Sequence, residues 1–298
     1  MKFFRDLFRK KTHVELIDLT RRFDLIARIG QGSMSKVWRS TDTFTGQTVA
    51  VKVLDLEKTE RFESRFTGLD KPSEGEIAVQ LEHPNIVETM EFGWTRDHEQ
   101  FLVMEFIDGL SLSFLVDVQN TAMKTNRMKW ICQLGDAVSY LHENSWIHRD
   151  ICPRNVLIDS ANELRLIDFG LVVPNTHEFQ KPGNRTGTAS YMAPELIRRQ
   201  STDPRIDIFS YAVTCFEMFA RRLPWDAIET LDAVRQRINI PPKDIRTFVP
   251  DIDEQTADAL MKGLEPDPAD RWPNINDMLD EFVSVRKRLE GDDTDDPT

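Results

Sequence analysis

The chain has few cysteines and no long apolar runs, which are the features that build disulfide frameworks, zinc clusters or membrane spans. It has 298 residues and three cysteines, Cys132, Cys152 and Cys215, which form no closely spaced pair. That pattern argues against a zinc-ribbon or disulfide-rich fold and fits a reducing compartment. No apolar run approaches the roughly 20 residues of a membrane-spanning helix. The N-terminus has no secretory apolar region, and Lys2 stands where myristoylation requires glycine, so a cytoplasmic location is expected.

The chain also lacks the excess of basic side chains that nucleic-acid binding needs. It has 38 lysines and arginines against 50 aspartates and glutamates, a formal net charge of −12 at pH 7. This balance predicts no nucleic-acid partner, because phosphate backbones are bound by net basic surfaces. Hydrophobic residues make up 40% and charged residues 30% of the chain. These fractions are ordinary for a globular protein, and the length fits one two-lobed domain or two small ones.

What is present centres on residues 147–170, which read IHRDICPRNVLIDSANELRLIDFG. Two short apolar runs, VLI and LRLID, flank the turn-like segment DSANE and predict a β-hairpin. Asp150 lies on the entering loop, Asn155 follows five residues later, and Asp168 lies at the exit. Two carboxylates and an amide at one edge of a hairpin make the oxygen-rich kind of site that Mg²⁺ prefers.

The sequence before this stretch alternates in the way strands do. Gly30 and Gly32 lie between the first two strand-like segments, where a G-x-G is often only a turn but also lets backbone N–H groups approach phosphate oxygens. Lys52 interrupts the apolar run VAVKV, and an unpaired buried ammonium is costly, so we expect it to have an anionic partner. The five predicted strands cover residues 23–30, 36–42, 47–55, 86–92 and 101–106.

A helix start is predicted at residues 72–76, PSEGE. Ser73 as N-cap and Glu76 as the third helical residue form a capping box. Gly75 inside the helix would cost about 1 kcal/mol relative to alanine, so the helix is expected to begin late, with Glu74 in its first turn. A separate short helix or loop is expected over residues 62–69.

Beyond Ser111 the pattern turns helical, with one irregular interruption. A long amphipathic helix is predicted over residues 127–144. Residues 171–195 are punctuated by prolines and glycines, which predicts an exposed loop rather than regular structure.

The order of these motifs resembles the protein kinase family. HRD at residues 148–150, Asn155 and DFG at residues 168–170 are similar to the family's catalytic loop and metal-binding motif. The glycine pair followed by Lys52, and the segment GTASYMAPE at residues 187–195, stand in the same order as in that family. The resemblance implies an α+β, two-lobed kinase fold, with a five-stranded antiparallel small lobe and a mainly helical large lobe.

The resemblance covers residues 23–285, nearly the whole chain. It implies an N-terminal extension over residues 1–22, a small lobe over 23–104, a large lobe over 105–288 and a disordered acidic tail over 289–298.

By this resemblance the chain would transfer the γ-phosphoryl group of ATP to serine or threonine hydroxyls of proteins, with Mg²⁺. Asp150 would orient the hydroxyl and accept its proton. Asn155 and Asp168 would hold the metal. Lys52 would bind the α- and β-phosphates and pair with Glu74, or with Glu76 as the alternative. The other residues implied to contact the nucleotide are Ile29, Gly30, Gly32, Val37, Ala50, Met104, Glu105, Ile107 and Leu157.

Two structural partnerships and one form of regulation are also implied. Asp207 would lie in the buried helix that supports the catalytic loop, and Arg271 would pair with Glu195. Arg149 beside Asp150 is typical of kinases whose activation loop is ordered by phosphate. Thr186 is the expected principal phosphoacceptor and Thr176 a second candidate, whereas Thr188 is expected to contact Asp150.

One position departs from the family in a way that concerns the chemistry. Cys152 stands where most serine/threonine kinases carry a lysine that meets the γ-phosphate. Arg154 lies where tyrosine kinases carry an arginine instead, so we hypothesise that Arg154 supplies the missing cation. A solvated, uninvolved arginine is the alternative. A smaller departure is Ser35 in place of the third loop glycine.

The first eleven residues, MKFFRDLFRKK, stand apart from this acidic chain. At helical spacing, Phe3, Phe4, Leu7 and Phe8 fall on one face and basic side chains on the other. Three interpretations stay open: a peripheral membrane anchor, a docking helix for a partner or for the chain's own acidic surface, and an extension packed on the small lobe.

Two rival functions follow from the same motifs. A pseudokinase that binds nucleotide as a scaffold or allosteric partner is favoured by Cys152, Ser35 and the late helix start. A small-molecule kinase shares the catalytic aspartate and asparagine, but such enzymes generally lack a segment like GTASYMAPE. The expected function is therefore an active serine/threonine protein kinase, with the pseudokinase as the alternative.

Overall fold

The computed structural model of the chain describes residues 16–31, 34–182, 186–225 and 240–292. The chain divides into two compact units, and the predicted α+β class is confirmed, because one contains an antiparallel sheet and the other is mainly helical. Residues 1–11, Gly32 and residues 293–298 of the expected tail lie outside the described residues. The first unit comprises Met1–Thr67, Ala78–Gln80 and Glu88–Phe106, and the second Gly68–Ile77, Leu81–Val87 and Ile107–Thr298.

The first unit is built on a six-stranded sheet with strand order β1-β5-β6-β4-β3-β2. Five strands are antiparallel neighbours, as predicted, and β1 adds a short parallel strand at the edge beside β5. Its strands are β1 (Leu16–Ile17), β2 (Phe23–Gln31), β3 (Ser35–Asp42), β4 (Thr48–Leu54), β5 (Thr89–Thr95) and β6 (Gln100–Glu105).

The added strand corrects the expected five-stranded lobe, because residues 16–17 lie within the extension expected over residues 1–22 and yet belong to the sheet. After β1, helix α1 (Leu19–Arg22) leads directly into β2. Arg22 lies 2.9 Å from the carboxylate of Asp42 and 2.5 Å from that of Glu91, which ties this segment to two strands of the sheet. A strand of only two residues, held by its pairing with β5, leaves no periodic pattern in the sequence.

Strand β4 is buried on both faces. Val49, Ala50, Val51 and Lys52 are each no more than 6% exposed. This explains why the segment reads as a continuous apolar run rather than an alternating one. One core cluster of the first unit packs around this strand and includes Phe23, Val49, Val51, Phe101 and Val103.

The late helix start is confirmed. A separate helix α2 (Leu56–Glu63) and a 3₁₀ turn at Ser64–Phe66 precede helix α3, which covers only Glu74–Ala78. The capping box has formed, because the Ser73 N–H donates to Glu76 Oε2 at 2.8 Å and the Glu76 N–H donates to Ser73 Oγ at 3.3 Å.

The second unit is mainly helical, and the predicted hairpin is confirmed, because strand β9 (Val156–Asp159) pairs with strand β10 (Leu164–Leu166). Helix α5 (Thr121–Glu143) starts six residues earlier than expected because Asn120 caps it, and the Asn120 side chain accepts the Met123 N–H at 2.9 Å. Among the described residues, no helix is long and apolar enough to cross a membrane. The strands are β7 (Gly109–Ser111), β8 (Trp146–Ile147), β9 (Val156–Asp159), β10 (Leu164–Leu166) and β11 (Val173–Pro174). The helices are α4 (Leu112–Val118), α5 (Thr121–Glu143), α6 (His177–Gln180), α7 (Pro194–Ile197), α8 (Arg205–Ala220), α9 (Glu254–Gly263) and α10 (Ile275–Asp292).

Helix α10 reaches four residues into the expected acidic tail, ending at Asp292 rather than before residue 289. Arg286 and Glu290, one turn apart, form an ion pair of 2.6 Å near its end. Pairs at this spacing support a helix that composition alone would end earlier.

The expected pair between Glu195 and Arg271 is present and buried. Two bonds of 2.7 Å join the guanidinium to both carboxylate oxygens, and the two residues are 3% and 2% exposed. Arg271 also donates to the carbonyl oxygens of Arg205, Glu265 and Pro266, so the charge is fully satisfied. This pair fixes the end of the segment that leads from the DFG motif into α7.

We predict that Arg271→Met lowers the free energy of unfolding by about 3–5 kcal/mol, because it leaves the Glu195 carboxylate buried without its partner. Denaturant unfolding measures the loss. Arg246→Met is the matched control, since Arg246 contacts three carboxylates at the surface, where solvent screens them, and its loss should be far smaller. Equal losses for the two variants would contradict the structural role of the buried pair.

Candidate active site

The backbone of the HRD segment is held by one buried carboxylate, that of Asp207 on α8. Its Oδ1 accepts the Arg149 N–H and its Oδ2 the His148 N–H, both at 2.7 Å. His142 Nε2 lies 3.0 Å from Oδ2. Burial by itself raises the pKa of Asp207, but the hydrogen bond and charge of His142 and the backbone donors hold the pKa below its ordinary value. Asp207 therefore stays ionised and fixes Arg149 in a left-handed conformation with φ of 70°.

Asp150 follows directly, and both oxygens of its carboxylate are oriented. Oδ1 accepts the Thr188 N–H at 2.6 Å, and Oδ2 accepts from Asn155 Nδ2 at 2.8 Å. The same amide nitrogen donates to the Asp150 carbonyl oxygen at 2.8 Å. The contact expected between Thr188 and Asp150 is thus confirmed, and it runs through the Thr188 backbone. These bonds use both hydrogens of the Asn155 amide and leave its oxygen as the atom able to bind a cation.

Asp168 lies beside this group and is exposed. The Ile167 N–H donates to the Asn155 carbonyl oxygen at 2.8 Å. Asp168 is the next residue in the chain, so this bond holds its backbone beside Asn155. Its own φ is 74°, and its Oδ1 accepts the Gly170 N–H at 3.2 Å. Phe169 packs edge-on against the ring of His148, with ring centroids 5.7 Å apart. The two aspartates and the asparagine singled out by the sequence are therefore neighbours in the fold.

These oxygen donors fit a magnesium ion whose remaining ligands would come from a nucleotide. Within the described ranges no group of three or more His, Cys, Asp or Glu side chains could hold a metal. Mg²⁺ is commonly bound by one or two carboxylates together with substrate phosphates and waters, so a full protein cage is not required. The exposed carboxylate of Asp168 and the amide oxygen of Asn155 suit that arrangement.

Glu74 lies against the DFG turn. A Cβ placed on Gly170 would stand 3.1 Å from Glu74 Oε2, so the carboxylate of this residue, which is 6% exposed, lies beside the turn. Lys52 belongs to the first unit, where it is 5% exposed. The pairing of Lys52 with Glu74 stays a prediction.

The expected nucleotide contacts of the first unit lie on adjacent strands. In the sheet register Gly30 pairs with Val37, Val37 with Lys52, and Ala50 with Met104. Of the remaining expected contacts, Ile29 is half exposed on β2, and Glu105 ends β6, where its N–H donates to the Glu88 carbonyl oxygen. Ile107 follows in the second unit. Leu157 lies on β9, where it pairs with Ser111 on one side and Arg165 on the other.

Cys152 and Arg154 meet at the hydroxyl of Thr188. Cys152 is 1% exposed, with its Sγ 3.8 Å from Thr188 Oγ1, while the exposed Arg154 donates from Nη2 to the same oxygen at 3.1 Å. Burial, and then the charge of Asp150, raises the pKa of the Cys152 thiol to about 11, so the thiol is neutral at physiological pH. Arg154 therefore brings a positive charge to the residue that contacts Asp150.

The expected regulatory residues differ in accessibility. Arg149 is 3% exposed, and its Nη2 donates to the Phe179 carbonyl oxygen at 3.2 Å, whereas Nε and Nη1 have no hydrogen-bond partner among the described residues. Burial lowers the pKa of Arg149 to about 10. Thr186 is 5% exposed, and its hydroxyl likewise lacks a partner in the part of the chain that the structure describes. Thr176 is exposed and donates to Glu178 Oε2 at 2.9 Å.

No pattern in the sequence indicates one further hydrogen-bonded pair near the site. The Tyr191 hydroxyl donates to Glu217 Oε2 on α8, and the two residues are 26 positions apart. Neither belongs to a spacing pattern, so only the fold brings them together.

The sequence profile of the protein kinase domain matches residues 23–282. The chain belongs to the protein kinase family. Similar curated proteins include a probable serine/threonine-protein kinase of Clostridium acetobutylicum, 28% identical over 280 residues, with 92% of this chain and 41% of that protein covered. The serine/threonine-protein kinase PrkC of Bacillus subtilis is 25% identical over 263 residues, covering 87% and 40%. The serine/threonine-protein kinase dst1 of Dictyostelium discoideum is 31% identical over 267 residues, covering 88% and 34%.

This kinase-family chain thus spans between about a third and two fifths of the length of these relatives. Members of this family use ATP together with a divalent metal ion.

Proposed function

We propose that the chain is an ATP- and Mg²⁺-dependent protein kinase that phosphorylates serine and threonine hydroxyls. The observation that carries this proposal is the fixed carboxylate of Asp150, held on one oxygen by the Thr188 N–H and on the other by Asn155. A carboxylate oriented in this way can accept a hydrogen bond from a substrate hydroxyl without a prior change of its own conformation. Such preorganisation of the catalytic base raises the reaction rate.

Each predicted residue keeps one role in this proposal. Asp150 orients the acceptor hydroxyl and takes its proton. Asn155 and Asp168 would hold Mg²⁺, which when bound neutralises charge on the transferred phosphoryl group. Lys52, with Glu74 as its partner, would bind the α- and β-phosphates. The remaining nucleotide contacts are Ile29, Gly30, Gly32, Val37, Ala50, Met104, Glu105, Ile107 and Leu157.

Arg154 supplies the cation that the family's lysine supplies elsewhere. Its contact with Thr188 supports this role, because Thr188 is itself bonded to Asp150 and the guanidinium is thereby kept on the acceptor side of the base. Cys152, neutral and buried, cannot contribute charge.

Regulation through the activation segment belongs to the same proposal. The buried guanidinium of Arg149 has two N–H groups without partners among the described residues, and such donors are what a phosphate would satisfy. Thr186 is joined to Gly187, where an added Cβ would lie 2.6 Å from the Arg149 carbonyl oxygen, so its backbone passes close to Arg149. Because Thr186 is buried, its phosphorylation requires the segment to open first, whereas Thr176 is exposed as it stands.

A cytoplasmic location, with contact to a membrane surface or a partner through residues 1–11, is also part of the proposal. It rests on the composition of the chain alone.

Asp168→Asn tests activity against the pseudokinase alternative. We expect the variant to lose phosphate transfer to a generic protein substrate by about 100-fold or more, since charge stabilisation at such sites is a large term. Radiolabelled ATP with Mg²⁺ measures the transfer. Asp251→Asn makes the same chemical change at an exposed position and should leave transfer unchanged. A wild-type chain that binds ATP and transfers no phosphate to protein would favour the pseudokinase.

Arg154→Ala should lower kcat by about 100-fold, for the same electrostatic reason. Adding Cys152→Lys to that variant should recover part of the loss, because it returns a cation to the usual position. Steady-state kinetics on one peptide substrate give both numbers, with the exposed Arg61→Ala as control. Unchanged kcat in Arg154→Ala would refute the role of this arginine.

Incubation with ATP and Mg²⁺ should place phosphate on Thr186, and Thr186→Ala should lower activity more than Thr176→Ala does. Intact mass and peptide mapping locate the phosphate. Absence of phosphate from residues 172–190 would count against control by autophosphorylation.

A further inference from the structure

The second unit has a groove whose lining contains none of the residues assigned to the nucleotide, the metal or the acceptor hydroxyl. It has a volume of about 350 Å³ and lies between strand β7, helix α4, the start of α5 and the turn of the β9–β10 hairpin. Its lining includes the buried Trp130 and the exposed Leu110. Leu110 pairs with Ile158 in the sheet, and Trp130 Nε1 donates to the Asn162 carbonyl oxygen at 3.0 Å, so the walls of the groove are joined to one another.

Large apolar side chains are exposed in this groove and beside it. Leu110, Phe114 and Val118 are 48%, 49% and 44% exposed. Phe114 and Val118 lie one turn apart on α4, and Val118 is three positions from Leu115, which lines the groove. Single exposed apolar side chains are ordinary, but a group of them beside a cavity marks an interaction surface.

The groove is acidic as well as apolar. Asp108 and Asp159 line it, and no lysine or arginine among the described residues does. Arg165 Nη2 lies 3.8 Å from Asp159 Oδ2, so that charge is partly compensated. Asp108 and Asp117 are exposed and have no hydrogen bond or ion pair within the described ranges. An apolar surface bordered by unpaired carboxylates fits a partner segment that is both apolar and basic.

The chain itself contains a segment of this chemistry. Residues 1–11 have five basic side chains against one acidic, whereas the other residues have 33 against 49. The same segment supplies four large apolar side chains, Phe3, Phe4, Leu7 and Phe8. The groove is at the lower end of the range for ligand pockets, about 300–1,000 Å³, so it suits a few side chains of a peptide better than a cofactor.

We propose that residues 1–11 of one copy of the chain bind in the groove of a second copy. Their apolar side chains pack against Leu110, Phe114 and Val118, and their basic side chains face Asp108 and Asp117. Such an interface joins two different surfaces, so it gives rings, open chains or a pair in which each copy holds the other's segment. The inference names the partner that the proposed function leaves open for residues 1–11, and it rests on that part of the proposal.

Sedimentation velocity of the full chain, from about 1 to 100 μM and without ATP, tests the self-association. The mean sedimentation coefficient should rise with concentration. Raising the ionic strength from about 0.1 to 1 M should weaken the association, because the screening length falls from about 10 to 3 Å. A wild-type chain that stays monomeric at about 100 μM would overturn the inference.

Two pairs of matched variants test the surface. Phe114→Ser and Asp108→Lys should each weaken the association at least about tenfold, because one removes an apolar contact and the other reverses a complementary charge. Phe44→Ser and Asp97→Lys make the same changes at exposed positions of the first unit and should stay within about twofold of wild type. Equal weakening in the variants and their controls would contradict binding in the groove.

A mixing experiment tests which two surfaces meet. Phe114→Ser keeps residues 1–11 intact and alters the groove, whereas Phe4→Ser/Phe8→Ser keeps the groove and alters the segment. Where the wild type is half associated, each variant alone should be largely monomeric, and an equal mixture should form a one-to-one complex. A mixture that stays monomeric would overturn the inference, as would association of either variant alone at wild-type strength.

These measurements need no catalysis, so their failure is distinguishable from failure of the proposed function. A chain that transfers phosphate and remains monomeric would overturn the inference alone. A chain that associates through the groove and transfers no phosphate would refute the kinase activity alone. A monomeric wild-type chain that instead sediments with vesicles of phosphatidylserine and phosphatidylcholine, and loses this in Phe4→Ser/Phe8→Ser, would overturn the inference in favour of a membrane contact.

Discussion

The hydrogen bonds of the buried Asp207 carboxylate are the interaction on which the conformation of the catalytic loop in the second unit depends. It accepts the His148 and Arg149 N–H groups and lies beside His142, and through them it sets the backbone that carries Asp150. Removing such a charge from water is expensive, and the three donors around it repay that cost only in this one loop conformation. The loop is therefore defined by electrostatics as much as by apolar packing.

The same helix α8 supports both sides of the proposed base. Asp207 near its start holds the HRD segment, while Ser210 and Glu217 hold Tyr191 and so the turn that carries Thr188. Asp150 stands where these two supported segments meet and is bonded to each. Arg149 differs from these groups, because its guanidinium is buried with donors that no described residue satisfies. A buried site with unused donors is where binding of an anion would change the energy most.

The features that could be predicted from the sequence are those set by interactions between residues close together in the chain. The hairpin around DSANE and the capping box of Ser73 and Glu76 each depend on residues close together in the chain. The burial of Thr186, the strand β1 and the pair of Tyr191 with Glu217 could not be predicted, since each arises from residues brought together by the fold. Helix α10 extends four residues beyond its predicted end, and the ion pair between Arg286 and Glu290, one turn apart, supports that extension.

The most direct measurement is the effect of Asp207→Asn on phosphate transfer compared with nucleotide affinity. An asparagine can accept one of the two backbone N–H groups but turns its own donor toward the other, so the loop loses its fixed geometry while the proposed nucleotide contacts on the sheet of the first unit are left unchanged. The account predicts that kcat falls by about 100-fold or more while calorimetry gives a Kd for ATP with Mg²⁺ within about threefold of wild type. A folded Asp207→Asn protein with wild-type kcat would contradict it.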